Sequence, residues 1–381
     1  MFKKFMAIRR FFLLLLITAA LADQAFAHAT PLQYDPAASS VLSKAPAKVQ
    51  IHFSERIEPR VSNITVLGPD GSRADLSDSA LDRVDPRNYS VDLRDAGAGT
   101  YTVSWEVISS DDGHFTKGAY VFSVGIAKPG ASAESGGFQT IHSSSAPEAL
   151  TLAVELIGSA LILGALFVLA FIWRPMRHYF PEAKSAEREF AGRFQFLLIT
   201  GCIFSFAGGL AYLIYKTNEL VLLRETTFFG AWNSFLSTNS ALYTIYRMIG
   251  AVFILAGFLA LRKRIFAAER ITSIECMFLV VLALIDLARA RISHAAASTF
   301  HPAFGVMMNF VHLFFKDAWI GGIIATVWLL SPLIRKSRNA RMAAFALTSF
   351  SRIASVALGI AGVTGVYVVW LHLKSFSYIL T

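Results

Sequence analysis

Residues 149–173, ALTLAVELIGSALILGALFVLAFIW, form an uninterrupted apolar run of the length that crosses a membrane as a helix. The chain before this run is polar, and further apolar blocks follow it. The six blocks lie at 149–173, 194–215, 242–261, 271–289, 303–330 and 351–373. Each reaches the roughly 20 residues that a spanning helix needs, the fourth only just. The sequence therefore predicts an all-α polytopic transmembrane bundle of about six helices.

The composition excludes an ordinary soluble enzyme. The 381 residues are 55% hydrophobic and 16% charged, whereas a soluble domain is about 25% charged. Lys and Arg gathered in cytoplasmic loops explain the formal net charge of +9 better than a nucleic-acid partner does. We therefore expect the lipid bilayer as a partner and no nucleic acid. Cys202 and Cys276 both fall in apolar blocks, so a disulfide framework is not expected.

Residues 1–27 have the form of a secretory signal peptide. The charged residues at its start are Lys3, Lys4, Arg9 and Arg10. An apolar stretch runs from Phe11 to Ala22, and Ala25-Phe26-Ala27 is a small-x-small cleavage site. A first membrane anchor is the alternative, but the apolar stretch is short for one. Cleavage after Ala27 makes His28 the N-terminus of an exported domain.

Residues 28–125 contain short runs in which apolar and polar positions alternate. The runs lie at 49–53, 63–67, 89–93, 100–107 and 119–124. Short strands at about ten-residue spacing, without a helical period, are typical of a small β-sandwich or Greek-key barrel. The Gly-, Ala- and Ser-rich residues 126–147 predict a flexible linker between this domain and the first apolar block.

Asp112 and His114 are the candidate metal ligands of the polar domain. They are two residues apart and point the same way on an extended loop. A mature N-terminal His28 adds an α-amine and an imidazole, and nitrogen and carboxylate ligands in a tetragonal set suit Cu(II). An isolated D-x-H triplet is weak evidence, since most are turn residues, and the N-terminal histidine strengthens it.

Four motifs in this domain resemble the CopC family of periplasmic copper-binding proteins. They are His28-Ala29-x-Pro31-Leu32, Pro46-Ala47-Lys48-Val49-x-Ile51-x-Phe53-Ser54-Glu55, Gly99-Thr100-Tyr101-x-Val103-x-Trp105 and Ser110-x-Asp112-Gly113-His114-x-x-x-Gly118. The resemblance implies a cupredoxin-like Greek-key β-barrel at residues 28–125. It also implies a Cu(II) site made by the mature N-terminus, His28, Asp112 and His114.

A Cu(I) site, which some CopC members carry, is not expected in this domain. In those members it combines a Met-rich loop with a histidine in the region of His52. Residues 28–175 contain neither Met nor Cys, and Cu(I) prefers these soft ligands. We therefore expect His52 to be a strand residue on an exposed or half-buried face.

Loop charges orient the predicted spans. The loops 174–193, 262–270 and 331–350 are rich in Lys and Arg, and the alternate loops are poor in them. This pattern places the basic loops in the cytoplasm and the start of the first span outside, in agreement with an exported N-terminal domain. We expect a multi-pass protein of the bacterial inner (cytoplasmic) membrane whose N-terminal domain is periplasmic.

The same orientation selects candidate copper ligands in the membrane half. It puts His294, His301 and His372 at the outer side, and it places His312 inside the fifth block, four residues after Met308 on one helical face. A histidine at a helix end is usually only hydrated, whereas a polar group inside a span needs a reason. We expect a membrane copper pathway through these residues, with Met308 and His312 suited to Cu(I).

The second half, residues 148–381, resembles the CopD family of copper-resistance membrane proteins. The resemblance rests on Ser293-His294-Ala295-Ala296-Ala297, Asn309-x-x-His312, Asp317-Ala318-Trp319-Ile320-Gly321-Gly322, Thr364-Gly365 and Trp370-x-His372-Leu373. A CopC domain fused ahead of a CopD domain is a known arrangement, and its implied role is copper uptake or handling. That family usually continues with a further helix pair, so we expect a short variant or a missing C-terminal part.

Three functions fit these residues. The leading one is a copper-binding membrane protein that captures Cu(II) outside and passes it to a membrane pathway for import, homeostasis or resistance. Other periplasmic copper carriers are candidate partners. The second function is a non-transporting copper-sequestering or chaperone protein anchored in the membrane. The third is a histidine-brace copper oxidase, which Asp112 disfavours because it would fix Cu(II), so we expect no enzymatic activity.

Overall fold

The computed structural model describes residues 29–94, 97–110, 113, 115–125, 146–224, 226–293, 301–337 and 339–373. Within these ranges a β domain occupies residues 29–125, and a helical domain begins at Ala146. The predicted signal peptide and most of the predicted linker lie outside the described residues. The last two linker residues, Ala146 and Pro147, belong to the first helix.

The β domain is a sandwich of two four-stranded sheets with strand orders β1-β3-β6-β5 and β2-β8-β7-β4. The strands are β1 Pro31–Asp35, β2 Val41–Leu42, β3 Lys48–Phe53, β4 Asn63–Leu67, β5 Ala80–Leu81, β6 Asn88–Asp92, β7 Gly99–Ile108 and β8 Phe115–Val124. The predicted β-sandwich is therefore confirmed. Strands β1, β2 and β5 were not predicted, because β2 and β5 have two residues each and β1 buries no alternating face.

Alternation along β7 builds the core between the two sheets. Tyr101, Val103 and Trp105 point inward, and Trp105 is only 1% exposed. Gly118 on β8 pairs with Trp105 on β7, and a β-carbon at Gly118 would overlap the indole ring of Trp105. Burying a large apolar side chain contributes roughly 1.5–3 kcal/mol, and here that burial requires a glycine on the neighbouring strand.

The helical domain contains five long apolar segments within the described residues. Its helices are α1 Ala146–Val168, continued by a π-helical turn Leu169–Trp173, then α2 Arg174–Tyr179, α3 Glu187–Arg224, α4 Phe228–Leu236, α5 Asn239–Ala267, α6 Ser273–Ala290, α7 Pro302–Ser337 and α8 Ala340–Leu373. The segments able to cross a membrane are Ala146–Tyr179, Pro181–Leu222, Asn239–Ala267, Ala303–Leu330 and Ala340–Trp370. They coincide with five of the six predicted blocks.

The fourth predicted block differs from the other five. It forms α6, which has 18 residues and carries Glu275, Asp286 and Arg289. Its length and charge set it apart from the five long apolar segments. It nevertheless packs between α5 and α7, and two of its charged side chains pair with other helices, Glu275 with Arg174 of α2 and Arg289 with Glu155 of α1.

Five helices close a ring in the helical domain. The pairs in contact are α1 with α3, α3 with α5, α5 with α6, α6 with α7 and α7 with α1. Helix α8 lies outside this ring against α7. At the end of the ring near α2, the interior is filled by an apolar cluster that includes Trp173 stacked on Phe190 at 4.0 Å between ring centroids.

Small residues let α1 and α7 approach to backbone contact. A β-carbon at Gly321 would overlap the carbonyl oxygen of Ala160, and one at Gly164 would overlap the carbonyl group of Gly321. The short side chains are therefore a requirement of the crossing between these two helices, as is common where membrane helices pack closely. By contrast, a β-carbon at Gly359 on α8 would meet no atom within 4 Å.

We expect Gly321→Leu to destabilise the full-length protein by more than about 3 kcal/mol, because overpacking costs about 1–3 kcal/mol even where neighbours can shift. Here the neighbours are backbone atoms, which cannot shift without separating α1 from α7. Thermal unfolding in detergent measures the effect. Gly359→Leu is the matched control and should leave the unfolding temperature unchanged; equal losses in both variants would show that the close crossing does not matter.

Candidate functional site

The predicted Cu(II) ligands His28, Asp112 and His114 lie outside the described residues, but their sequence neighbours are described. Ala29, next to His28, is fully buried, and its carbonyl oxygen accepts a hydrogen bond of 2.9 Å from Oγ1 of Thr116. Thr116 follows His114 by two residues. The beginning of the β domain and the beginning of β8 therefore meet at one edge of the sandwich.

Two further hydrogen bonds fix the chain at this edge. The backbone N–H of Thr30 donates to Oγ of Ser54 at 2.9 Å, and the backbone N–H of Ser54 donates to the carbonyl oxygen of Thr30 at 2.8 Å. Ser54 directly follows β3, so the first described residues are tied to the central strand of their sheet. These hydrogen bonds fix the position of the first described residues, which directly follow His28 in the sequence.

The turn between β7 and β8 has a conformation that suits glycine. Its ends are the paired residues Ile108 and Phe115. The backbone N–H of Gly113 donates to the carbonyl oxygen of Ser109 at 3.0 Å, and Gly113 has a φ of 76°. A left-handed backbone of this kind favours glycine, which explains a glycine between the two predicted ligands.

Gly113 also marks the contact between the β domain and the helical domain. A β-carbon at Gly113 would lie 3.1 Å from Oγ of Ser240 and 3.5 Å from Oη of Tyr212. Ser240 is in the first turn of α5 and Tyr212 is on α3, and their hydroxyl groups are 3.0 Å apart. The turn that carries Asp112 and His114 in the sequence thus rests on the predicted outer end of the helical ring.

An apolar cluster surrounds this contact. Its buried members from the β domain are Val61, Ile108 and Phe115, and those from the helices are Tyr212, Leu213, Leu220, Ala231, Phe235 and Ala241. Beside the cluster, Nη1 of Arg60 donates to the carbonyl oxygen of Ser237 at 3.0 Å. The β domain is therefore docked on the helices through side-chain packing as well as through its linker.

One acidic side chain is desolvated in the docked interface. Glu58 is only 7% exposed. Burial raises the pKa of its carboxyl group above the ordinary value, although the positive charge of Arg60 and the backbone N–H of Asn239 act in the opposite direction. Since Asn239 is the first residue of α5, the environment of Glu58 depends on docking.

His52 is half-buried on β3, the position expected from the sequence. Its Nδ1 lies 2.7 Å from Oδ1 of Asn88 on the neighbouring strand β6. This partner gives His52 a structural role in the sheet and occupies one of its two ring nitrogens.

The structure describes the outer membrane histidines only in part. His294 lies outside the described residues, and of His372 only the backbone, within α8, is described. His301 is exposed immediately before α7 and has a φ of 47°. Its carbonyl oxygen accepts a hydrogen bond from the backbone N–H of Phe304 at 2.9 Å, so it opens the first turn of that helix.

His312 lies on the seam between α7 and α8. It is half-buried, and its Nδ1 is 2.9 Å from the carbonyl oxygen of Ala361 on α8. Because a carbonyl oxygen only accepts, Nδ1 carries the proton and Nε2 of a neutral ring keeps its lone pair for a ligand. Met308, one turn earlier, is also half-buried. Among the described residues no three His, Cys, Asp or Glu side chains converge into a metal site.

Sequence reasoning did not anticipate the charged core of the helical ring. Glu155 on α1 is completely buried, with Oε1 at 2.6 Å from Nε of Arg247 on α5 and 2.7 Å from Nη2 of Arg289 on α6. The available signal was that Glu155 and Arg247 are charged residues inside apolar blocks. The pairing of Glu155 with Arg247 and Arg289, which joins three helices, was not visible in the sequence.

Comparisons with known proteins identify relatives of both halves. Residues 32–125 match the family described as CopC domain. The chain is 27% identical over 335 residues to the copper transport protein CutJ of Bacillus subtilis, which covers 85% of this chain and 57% of CutJ. It is 35% identical over 116 residues to the protein YobA of Escherichia coli K12, which covers 30% of this chain and 93% of YobA. This chain therefore spans little more than half the length of CutJ.

Two solved structures resemble the β domain. CopC from Methylosinus trichosporium OB3b is 29% identical, with a TM-score of 0.24, and the match covers 26% of this chain and 93% of that one. PcoC, a methionine-rich copper resistance protein from Escherichia coli, is 31% identical, with a TM-score of 0.23, and the match covers 26% of this chain and 99% of that one.

A disulfide can test the docking of the β domain. A β-carbon at Gly113 would lie 3.3 Å from Cβ of Ser240, close to the 3.5–4.5 Å that disulfides span. In a full-length protein with Cys202 and Cys276 replaced by Ser, we expect Gly113→Cys with Ser240→Cys to cross-link under mild oxidation, measured by gel mobility after proteolysis in the linker. Gly71→Cys with Ser240→Cys is the control, because nothing lies within 4 Å of a β-carbon at Gly71. Equal cross-linking of both pairs would contradict the docked arrangement.

Proposed function

The chain belongs to the CopC family through residues 32–125, and from that premise we propose that it binds Cu(II) on the outer side of the cytoplasmic membrane and delivers copper to its own membrane domain. Similarity to the copper transport protein CutJ extends over 85% of this chain, which supports copper handling by both halves. The helical half fits a CopD-like membrane domain. Copper is the cargo in this proposal, and the protein binds and transfers it without catalysing a reaction.

In the proposed outer site the α-amine and imidazole of His28, the carboxylate of Asp112 and the imidazole of His114 hold Cu(II). Nitrogen and oxygen donors in a tetragonal set match the preference of this ion. The hydrogen bond between Ala29 and Thr116 supports the assignment, since each of these residues lies within two positions of a proposed ligand. The site requires removal of the signal peptide, because only then does His28 carry a free amine.

One observation carries the transfer step: Gly113, which lies between two proposed ligands in the sequence, rests against Ser240 and Tyr212. An ion held by the turn would therefore start next to the helical domain and would not have to diffuse to it. The packed cluster around this contact supports a lasting docked state. In this proposal the linker keeps the two domains covalently joined, and docking positions the proposed Cu(II) site next to the helices.

We place the membrane route along α7 and α8, with His294, His301 and His372 at the outer side and Met308 with His312 deeper. The Nε2 of His312, whose Nδ1 is engaged by Ala361, and the thioether of Met308 are borderline and soft donors able to hold copper. The centre of the ring is a poorer route for a cation, because Arg247 and Arg289 occupy it. The basic loops orient the bundle so that this route leads from the outside inward.

The outer site is tested by Cu(II) titration of the mature full-length protein in detergent. We expect His114→Ala, Asp112→Asn, or one added residue before His28 to weaken Cu(II) binding by more than about tenfold, which is a loss of about 1.4 kcal/mol. His52→Ala is the matched control and should bind as the unaltered protein does, because its ring is engaged by Asn88. Unchanged affinity after the free amine is blocked would refute the site.

The membrane route is tested by copper uptake into liposomes that contain the full-length protein. We expect His312→Ala to lower uptake at least about tenfold, since weakening even the support of a metal ligand costs 10–100-fold in affinity. Cu(II) binding by the β domain should be unaffected. His178→Ala, an exposed histidine on α2, is the control. If His312→Ala transports as well as this control, the route is wrong, whereas absence of uptake by the unaltered protein would favour sequestration.

A further inference from the structure

The charged core of the ring contains two more buried carboxylates. Asp286 on α6 is 2% exposed and Asp317 on α7 is 1% exposed. Together with Glu155 they face three cations, Arg247, Arg289 and Lys316. Ionisable groups inside a membrane domain are expensive and are found where ions or protons bind.

The six groups are not paired evenly. Glu155 takes both arginines, at 2.6 and 2.7 Å, and Oδ1 of Asp317 lies 3.1 Å from Nζ of Lys316. Asp286 forms no ion pair within the described residues, and its Oδ1 has no hydrogen-bond partner there. Burying an ionised carboxylate without a partner costs several kcal/mol, so the pairing pattern singles out Asp286.

Opposing charges surround Asp286 from three helices. Burial and the negative charges of Asp317 and Glu155 favour its neutral form, whereas Arg289 and Lys316 favour its ionised form. Arg247, on the other side of Glu155, adds a further positive charge to this core. Asp286 therefore lies among charges of both signs, and its Oδ1 has no hydrogen-bond partner within the described residues.

We propose that Asp286 is a proton-binding site inside the helical domain, loaded and emptied through water. On loading, a hydronium ion gives its proton to Oδ1 of Asp286; the new O–H bond forms there, the electron pair of the broken O–H bond stays on the departing water, and the charge of the core rises by one. Oδ2 of Asp317 and Nη1 of Arg247 also have no hydrogen-bond partner in the described part of the chain, and they can hydrogen-bond to water. This inference goes beyond copper handling and holds whether or not copper moves along α7 and α8.

Infrared spectroscopy of the full-length protein in lipid tests the proposal, because a protonated carboxyl group gives a C=O band that an ionised one lacks. We expect such a band at neutral pH, shifted in D₂O, and its loss in Asp286→Asn. Because Oδ1 of Asp286 has no hydrogen-bond partner within the described residues, the isosteric amide should leave thermal stability unchanged. Asp286→Glu should restore a band at a different frequency.

Asp317→Asn is the matched control, since Asp317 is an equally buried carboxyl group that is paired with Lys316. It should retain the Asp286 band, shifted by the loss of the neighbouring charge. Absence of the band in the unaltered protein, its persistence in Asp286→Asn, or its loss in Asp317→Asn alone would each overturn the assignment.

Discussion

The helical domain depends on one carboxylate, that of Glu155, held between two guanidinium groups. Arg247 and Arg289 reach it from two other helices, so a single buried anion connects α1, α5 and α6. Breaking a buried pair typically costs about 3–5 kcal/mol, because it leaves an uncompensated charge. Deeper in the same helix, Gly164 meets the backbone of Gly321, which fixes α1 against α7. Polar pairing at Glu155 and close backbone packing at Gly164 together hold the ring.

The membrane domain therefore contains two chemically different regions, the interior of the ring and the seam between α7 and α8. The ring interior holds buried carboxylates together with Arg247, Arg289 and Lys316, whereas α7 carries the imidazole of His312 on its seam with α8 and the thioether of Met308 one turn earlier. The docked β domain lies above the ring, in contact with α3, α4 and α5. In the proposed function, transfer of an ion from the β domain to the seam would run along the surface of the bundle, past the predicted outer histidines His294, His301 and His372.

Strong periodic patterns were sufficient to predict most elements. The five alternating runs are β3, β4, β6, β7 and β8, and five apolar blocks became long helices, since both patterns reflect burial of whole faces. Strands of two residues carry no period, so β2 and β5 were not predicted. Helix α6 was predicted as a span from its apolar residues, and two of its charges are paired with other helices, Glu275 with Arg174 of α2 and Arg289 with Glu155 of α1.

The amino-acid sequence by itself determined the two-part architecture and supplied the predicted orientation of the helices and the candidate copper ligands, because each of these depends on local composition, period or motif. The tertiary structure alone decided that Gly113 rests on Tyr212 and Ser240, and that Glu155 has two cationic partners while Oδ1 of Asp286 has no hydrogen-bond partner within the described residues. The physical reason is that charge balance and docking depend on distances between side chains far apart in the chain, and no local pattern records those distances.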